Sequence, residues 1–148
     1  MRIDYYVEKP ELITKLRTIT KELERFALDA KLRALVETRV SQINGCAYCT
    51  DLHTREARSA GEDQQRLDAL PVWQESPFFD SREKAALAWA ESITLISESH
   101  AGDAEYSELT KYFSGPEIVE LSLSISLANF WNRMAAGFRK IPTKTKNA

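Results

Sequence analysis

Apolar residues recur at intervals of three and four along most of this chain, and no segment alternates long enough to read as a strand. Such intervals return to one side of an α-helix. Leu12, Leu16, Ile19, Leu23 and Phe26 form the first stripe, and Pro10 suits the opening turn of its helix. Tyr5, Tyr6 and Val7 precede it as an N-terminal arm. Leu32, Leu35, Val36, Val40 and Ile43 form the second stripe, with Asp29 as N-cap. This helix should stop at Asn44-Gly45, a pair that readily takes positive φ. A third helix is predicted to start at Cys46, to run through His53, Ala57 and Ala60, and to end at Gly61.

Residues 63–70 read as a short helix closed by Pro71. The connector after it carries Trp73, Phe78 and Phe79, too much apolar surface to lie free in water. Asp80 and Glu83 fit a capping start for a helix with a small-residue face of Ala86, Leu87, Ala90, Ile93 and Thr94. Residues 103–113 form another short helix. Ser114 and Glu117 form a capping box for a long last helix through Ile118, Leu121, Ile125, Ala128, Trp131 and Ala135. Moving that helix back by 85 positions lays Asn129 on Asn44, Ile125 on Val40 and Leu121 on Val36, which suggests an internal repeat. The expected fold is all-α: one domain over residues 1–148, an antiparallel bundle of about six to seven helices, with residues 140–148 as a polar tail.

Composition narrows the functional classes. At 148 residues a chain buries roughly 70% of its surface on folding, so a core needs no disulfide staples. The net charge of -2 offers no basic footprint for nucleic acid. No apolar run approaches the length of a membrane span, and the N-terminus lacks the apolar core of a signal peptide. The expected compartment is the cytoplasm, where an isolated Cys-x-x-Cys points to redox or metal chemistry.

The candidate chemistry lies in ten residues, Asn44-Gly45-Cys46-Ala47-Tyr48-Cys49-Thr50-Asp51-Leu52-His53. They hold both cysteines of the protein and one of its two histidines. On a helix, Cys46, Cys49 and His53 share a face at i, i+3 and i+7. A helix N-terminus favours thiolate over thiol. Residues three apart on a helix are close enough for a disulfide, so one thiolate can attack and the other resolve. Cys49, one turn from His53, is assigned as the nucleophile, and Cys46, the more exposed position, as the resolving thiol. A peroxide would oxidise Cys49 to a sulfenic acid, Cys46 would condense with it, and a dithiol would reduce the pair. Two other readings stand beside this one. The cysteines could be small buried hydrophobes, or Cys46, Cys49 and His53 could hold zinc. His53 itself could be a structural, hydrogen-bonded histidine, and His100 reads as a solvated loop residue.

The run Ser41-Gln42-Ile43-Asn44-Gly45-Cys46-Ala47-Tyr48-Cys49 with His53 resembles the alkylhydroperoxidase D-like, or carboxymuconolactone decarboxylase, superfamily. Further points of resemblance are Tyr5-Tyr6, Ala60-Gly61-Glu62, the segment from Trp73 to Phe79, Ala88-Trp89-Ala90-Glu91 and Asn129-Phe130-Trp131-Asn132-Arg133, so it spans residues 4–139. The resemblance implies an all-α fold, obligate oligomers that are commonly trimers or hexamers, and a peroxidase-type site with Cys49, Cys46 and His53 in the roles above. It implies a hydroperoxide substrate, a lipoylated or thioredoxin-like dithiol reductant and no cofactor. The decarboxylase branch lacks this cysteine pair, which disfavours a decarboxylase. Active members usually carry a glutamate twelve residues before the first cysteine, in a proton relay with the histidine. Ala34 stands there in this chain. The nearest acid is Glu37, almost one turn along the same helix; it either takes over the relay or is a solvated surface acid. Without that acid the alternative is a low-turnover redox-sensing or binding protein with the same disulfide switch.

Overall fold

In the computed structural model, which describes residues 1–26 and 28–144, the chain is helical and contains no strand among those residues. The α-helices are α1 (Tyr5–Glu8), α2 (Pro10–Leu23), α3 (Ala30–Ile43), α4 (Ala47–Ser59), α5 (Gln64–Ala69), α6 (Ser81–Thr94), α7 (Ile96–Ser99), α8 (Asp103–Leu109) and α9 (Gly115–Gly137). Seven of these are the predicted helices. The additions, α1 and α7, have four residues each, too few for a periodic stripe to show. Pro71 does not close α5. It falls inside a 3-10 turn, Leu70–Val72, that prolongs the helix, at an early position where its missing N–H costs nothing.

Several helices start where a side chain can accept an orphan N–H. The Asp29 carboxylate accepts from the Leu32 N–H at 3.0 Å. Asp80 and Glu83 cap each other, with the Glu83 N–H donating to Asp80 at 2.8 Å and the Asp80 N–H to Glu83 at 2.9 Å. The Glu117 carboxylate accepts from both the N–H and the hydroxyl of Ser114, each at 2.8 Å. A cap of this kind is worth roughly 0.5–2 kcal/mol.

The core forms where α3, α6 and α9 meet. Leu35, Val36 and Val40 of α3, Ala86, Leu87 and Ala90 of α6, and Leu121 and Ile125 of α9 are all fully buried there. Trp73 and Phe79 of the apolar connector join this core, whereas Phe78 stays exposed. The positions that the suggested repeat pairs come together in space. Val36 and Leu121, then Val40 and Ile125, lie in one core, and the Asn44 amide donates to Asn129 Oδ1 at 2.9 Å.

α2 behaves differently. Its stripe residues Leu12 and Ile19 are 58% and 53% exposed, Phe26 just beyond it is 55% exposed, and its one buried residue is Ile13, off the stripe. The helix is tied to α9 by the Trp131 indole N–H, which donates to Thr20 Oγ1 at 2.9 Å. The expected tail starts later than residue 140. The Lys140 N–H donates to the Ala135 carbonyl at 2.8 Å, and its ammonium reaches Tyr6 Oη at 3.2 Å and lies 4.0 Å from the Tyr48 ring centre. Residues 145–148 of that tail lie outside the described residues. Among the described residues, no helix is long and apolar enough to cross a membrane.

Candidate active site

The site is built on the connection between α3 and α4, only three residues long. Asn44 ends α3, and Gly45 takes φ +64°, a conformation that strains any L side chain. The Gly45 N–H then donates to the Gln42 carbonyl at 3.1 Å and the Cys46 N–H to the Ser41 carbonyl at 3.0 Å. Together these are the paired bonds of a Schellman end. Cys46 closes α3 and opens α4 at once, since its Sγ accepts from the Cys49 N–H at 3.3 Å. This shared residue fixes the two helices relative to each other. The far end of α4 is closed by the same device at Gly61, with φ +89°.

Cys46 and Cys49 are disulfide-bonded, with Cα atoms 5.3 Å apart. They are 2% and 3% exposed, so Cys46 is not the more exposed of the two. Its N-cap position folds the sulfur back over the first turn, against Ala135 of α9 and beside Tyr48. The large aromatics do not gather here. The indole N–H groups of Trp73, Trp89 and Trp131 donate instead to Glu91, Ser122 and Thr20. An open groove of about 560 Å³ runs along the outer side of the same corner, past Gly45, Ala47, Thr50 and Thr54, and neither cysteine nor His53 lines it.

His53 lies one turn beyond Cys49 on α4, the spacing that puts two side chains on one helix face. Its Nδ1 is 2.8 Å from Glu56 Oε2 and 3.4 Å from Glu37 Oε2. Glu37 is no solvated surface acid: its side chain is 14% exposed, and its other oxygen accepts from the Ser124 hydroxyl at 2.7 Å. Burial pushes the Glu37 carboxyl above the ordinary carboxylate range, against the opposing pull of His53, the Ser124 hydrogen bond and Arg33. For His53, burial works against the imidazolium. The Glu56 hydrogen bond and the charges of Glu37 and Glu56 outweigh it, so the imidazole pKa is raised. A carboxylate on Nδ1 holds the Nδ1–H tautomer when the ring is neutral, which leaves Nε2 as the basic atom. Ala34 is buried, and the acid one turn later makes the contact.

Glu56 and Ser124 were not singled out from the sequence. Glu56 carries a readable signal, since i+3 from His53 on a helix is adjacent. Ser124 carries none, because a lone serine inside an apolar stripe looks like a helix filler. Behind it lies a chain of buried polar groups. The Asn44 amide also donates to Asn132 Oδ1 at 2.9 Å, Asn132 donates to Ser41 Oγ at 3.1 Å, and Ser41 Oγ donates to the Glu37 carbonyl at 2.8 Å. The turn before the cysteines and the helix carrying Glu37 are therefore both pinned to α9. With the two sulfurs bonded to each other, the cysteines offer no thiolate ligands in this state, and the ligand-capable group around His53 among the described residues is Glu37 and Glu56 instead. His100, the other histidine, is exposed at φ 56° after α7, far from this corner in sequence.

Residues 10–92 match the family model for the carboxymuconolactone decarboxylase family. The chain belongs to that family. It is 37% identical over 134 residues to the uncharacterized protein YdfG of Bacillus subtilis, a match covering 90% of this chain and 91% of that one. The solved structure of a protein of unknown function from Agrobacterium tumefaciens, suggested to be the antioxidant defence protein AhpD, superposes with a TM-score of 0.93 at 35% identity, covering 97% of this chain and 99% of that one. The debrominase Bmp8 superposes with a TM-score of 0.80 at 23% identity, covering 92% of this chain and 74% of that one, and shares the fold. The family assignment and the all-helical fold agree with the resemblance of the Cys-x-x-Cys-x-x-x-His stretch.

Proposed function

We propose that this protein is a thiol-dependent peroxidase that reduces hydroperoxides through Cys49 and Cys46, with His53 and Glu37 moving protons. One observation carries the reading. A Cys-x-x-Cys pair, already joined as a disulfide, opens the helix whose next turn presents a histidine held by a buried carboxylate. In the reduced protein, Nε2 of His53 takes the proton of the Cys49 thiol. The thiolate attacks the hydroperoxide, an S–O bond forms, the O–O bond breaks, and the leaving alkoxide takes the proton from the imidazolium. The Cys46 thiol then attacks the Cys49 sulfenic acid: the S–S bond forms, the S–O bond breaks, and the hydroxyl leaves as water with the Cys46 thiol proton. Glu56 accepts from Nδ1, and the charges of Glu56 and of buried Glu37, 3.4 Å from Nδ1, stabilise the imidazolium that the cycle needs. A dithiol partner, lipoylated or thioredoxin-like, returns the two electrons. Cys46 is the leaving sulfur in that step, because the Cys49 N–H stabilises its thiolate.

The test is consumption of an alkyl hydroperoxide with dihydrolipoamide as reductant. Turnover that is lost in Cys49→Ser and in Cys46→Ser supports the reading, and full turnover in Cys49→Ser ends it. The second reading, a redox switch with little turnover, keeps Ala34 as its motive. It requires fast reversible disulfide formation without catalytic consumption. Self-association belongs to the proposal as well. The apolar stripe of α2, left open in the single chain, suits a second copy as its cover, in a trimer or hexamer. Sedimentation of the wild type as a one-chain particle would remove that part.

A further inference from the structure

His53 offers one Nδ1, and two carboxylate oxygens converge on it, Glu56 Oε2 at 2.8 Å and Glu37 Oε2 at 3.4 Å. One ring proton cannot satisfy both. The 3.4 Å contact to Glu37 is an ion pair and not a hydrogen bond, and among the described residues no other group donates to that oxygen. All three atoms lie within 4.8 Å of one another. We propose that this trio is a divalent transition-metal site, best suited to Zn²⁺, and that the bound ion switches the thiol centre off. The regulatory half of the proposal rests on the peroxidase reading; the binding half does not.

The donors suit the ion. Imidazole nitrogen and carboxylate oxygen are both ordinary zinc ligands at roughly 2.0–2.2 Å, and three protein ligands leave a fourth position for water. The pair His53 and Glu56, three apart on α4, plus a carboxylate from the facing helix α3, repeats the logic of helical-bundle metal sites. A metal ligand that is itself hydrogen-bonded is held in place for the ion. Glu37 meets that condition, because Ser124 holds its other oxygen at 2.7 Å. Glu56 is half exposed and gives the ion a way in. The set shares only His53 with the cysteine-based zinc site considered from the sequence.

The consequence for the thiols follows from the tautomer. A metal on Nδ1 needs that lone pair, so the ring proton moves to Nε2. Nε2–H cannot accept the Cys49 proton, and the carboxylate that would support the imidazolium is tied to the ion. Zinc therefore stops thiol activation without touching either sulfur.

The test uses the disulfide-bonded protein, in which the cysteines cannot ligate. Isothermal titration of the oxidised wild type with Zn²⁺ alone should show one site per chain. Glu56→Gln and Glu37→Gln should each weaken it at least tenfold, while His100→Asn leaves it unchanged. Circular dichroism verifies the fold of each variant, and the exposed position of Glu56 makes Glu56→Gln the safe one. No binding up to about 1 mM Zn²⁺, or binding that survives both glutamate changes, overturns the site. Zinc uptake by a protein that shows no peroxidase turnover even when free of zinc would keep the site and reject the peroxidase reading. Turnover that persists in wild type with the site filled would reject the switch.

Discussion

α2 and the α3–α4 corner are written in the same periodic code and end in opposite environments. Both carry apolar residues every three or four positions. On α3 these are fully buried at Leu35, Val36 and Val40, while Leu12 and Ile19 of α2 stand more than half exposed. The difference teaches that periodicity reports a face that needs cover and is silent about what covers it. It also sorts the molecule by task. The corner is locked by a shared cap, a glycine turn and a polar chain to α9, as a site requiring fixed geometry should be. α2 meets the rest of the chain mainly through α1 and α9 and leaves a surface open.

The largest expected effect is at the corner. Cys49→Ser should abolish hydroperoxide turnover, measured with dihydrolipoamide as reductant, because no other thiol stands one turn from His53. Glu37→Gln keeps the shape and the Ser124 contact but removes the buried one of the two carboxylate charges beside Nδ1, leaving Glu56. Turnover should fall roughly 10²–10⁴-fold, the usual cost of losing an acid–base partner. Asn132→Ala strips one acceptor from half-buried Asn44 and the donor from buried Ser41. Chemical denaturation should show a loss of about 1–3 kcal/mol. A loss below half of that would mean that the corner is held less tightly than drawn here.

On α2 the expectation reverses. Ile19→Glu should change the unfolding free energy by no more than about 0.5 kcal/mol in a dissociated chain, as exposed substitutions do. The same change should lower the sedimentation coefficient of the oligomer proposed above. Loss of folding with no change in assembly would break the contrast between the two regions. A purely local effect is expected at the start of α9. Hydrogen bonds from the Ser114 N–H and hydroxyl hold the Glu117 carboxyl below its ordinary range, with Arg82 adding to them against slight burial. The folded pKa is depressed, so this contribution is present above the unfolded value and lost as pH falls through the folded one. Glu117→Gln should cost about 1 kcal/mol at neutral pH, and the gap to wild type should close in acid.

The legible parts of the site were those that cluster in sequence. Cys46, Cys49 and His53 fall within eight positions, and their spacing needs only a helix to become one face. The capping boxes at Asp80 and Ser114 were readable because a cap is a local contact. Glu37 was visible as an acid one turn from the position usual in the family, but its burial depends on α9 and could not be read from α3. Ser124, Asn129 and Asn132 were the least legible. Polar residues inside an apolar stripe weaken the stripe, and nothing local says that they face each other across 85 or more residues. Asn129 surfaced through the repeat with Asn44 and, with Asn132, through the family resemblance, neither of which gives its partner. Cys46 was misjudged because a turn is ordinarily exposed, whereas an N-cap folds its side chain back over the helix.

The central claim is that a carboxylate on α3 drives the chemistry of a thiol on α4. The direct measurement is the single-turnover rate of disulfide formation when reduced protein meets one equivalent of an alkyl hydroperoxide, wild type beside Glu37→Gln. The account predicts a rate at least about a hundredfold lower in the variant, with both thiols still free to alkylation and the fold intact. Equal rates in the two proteins would contradict it and leave Glu37 as a structural acid.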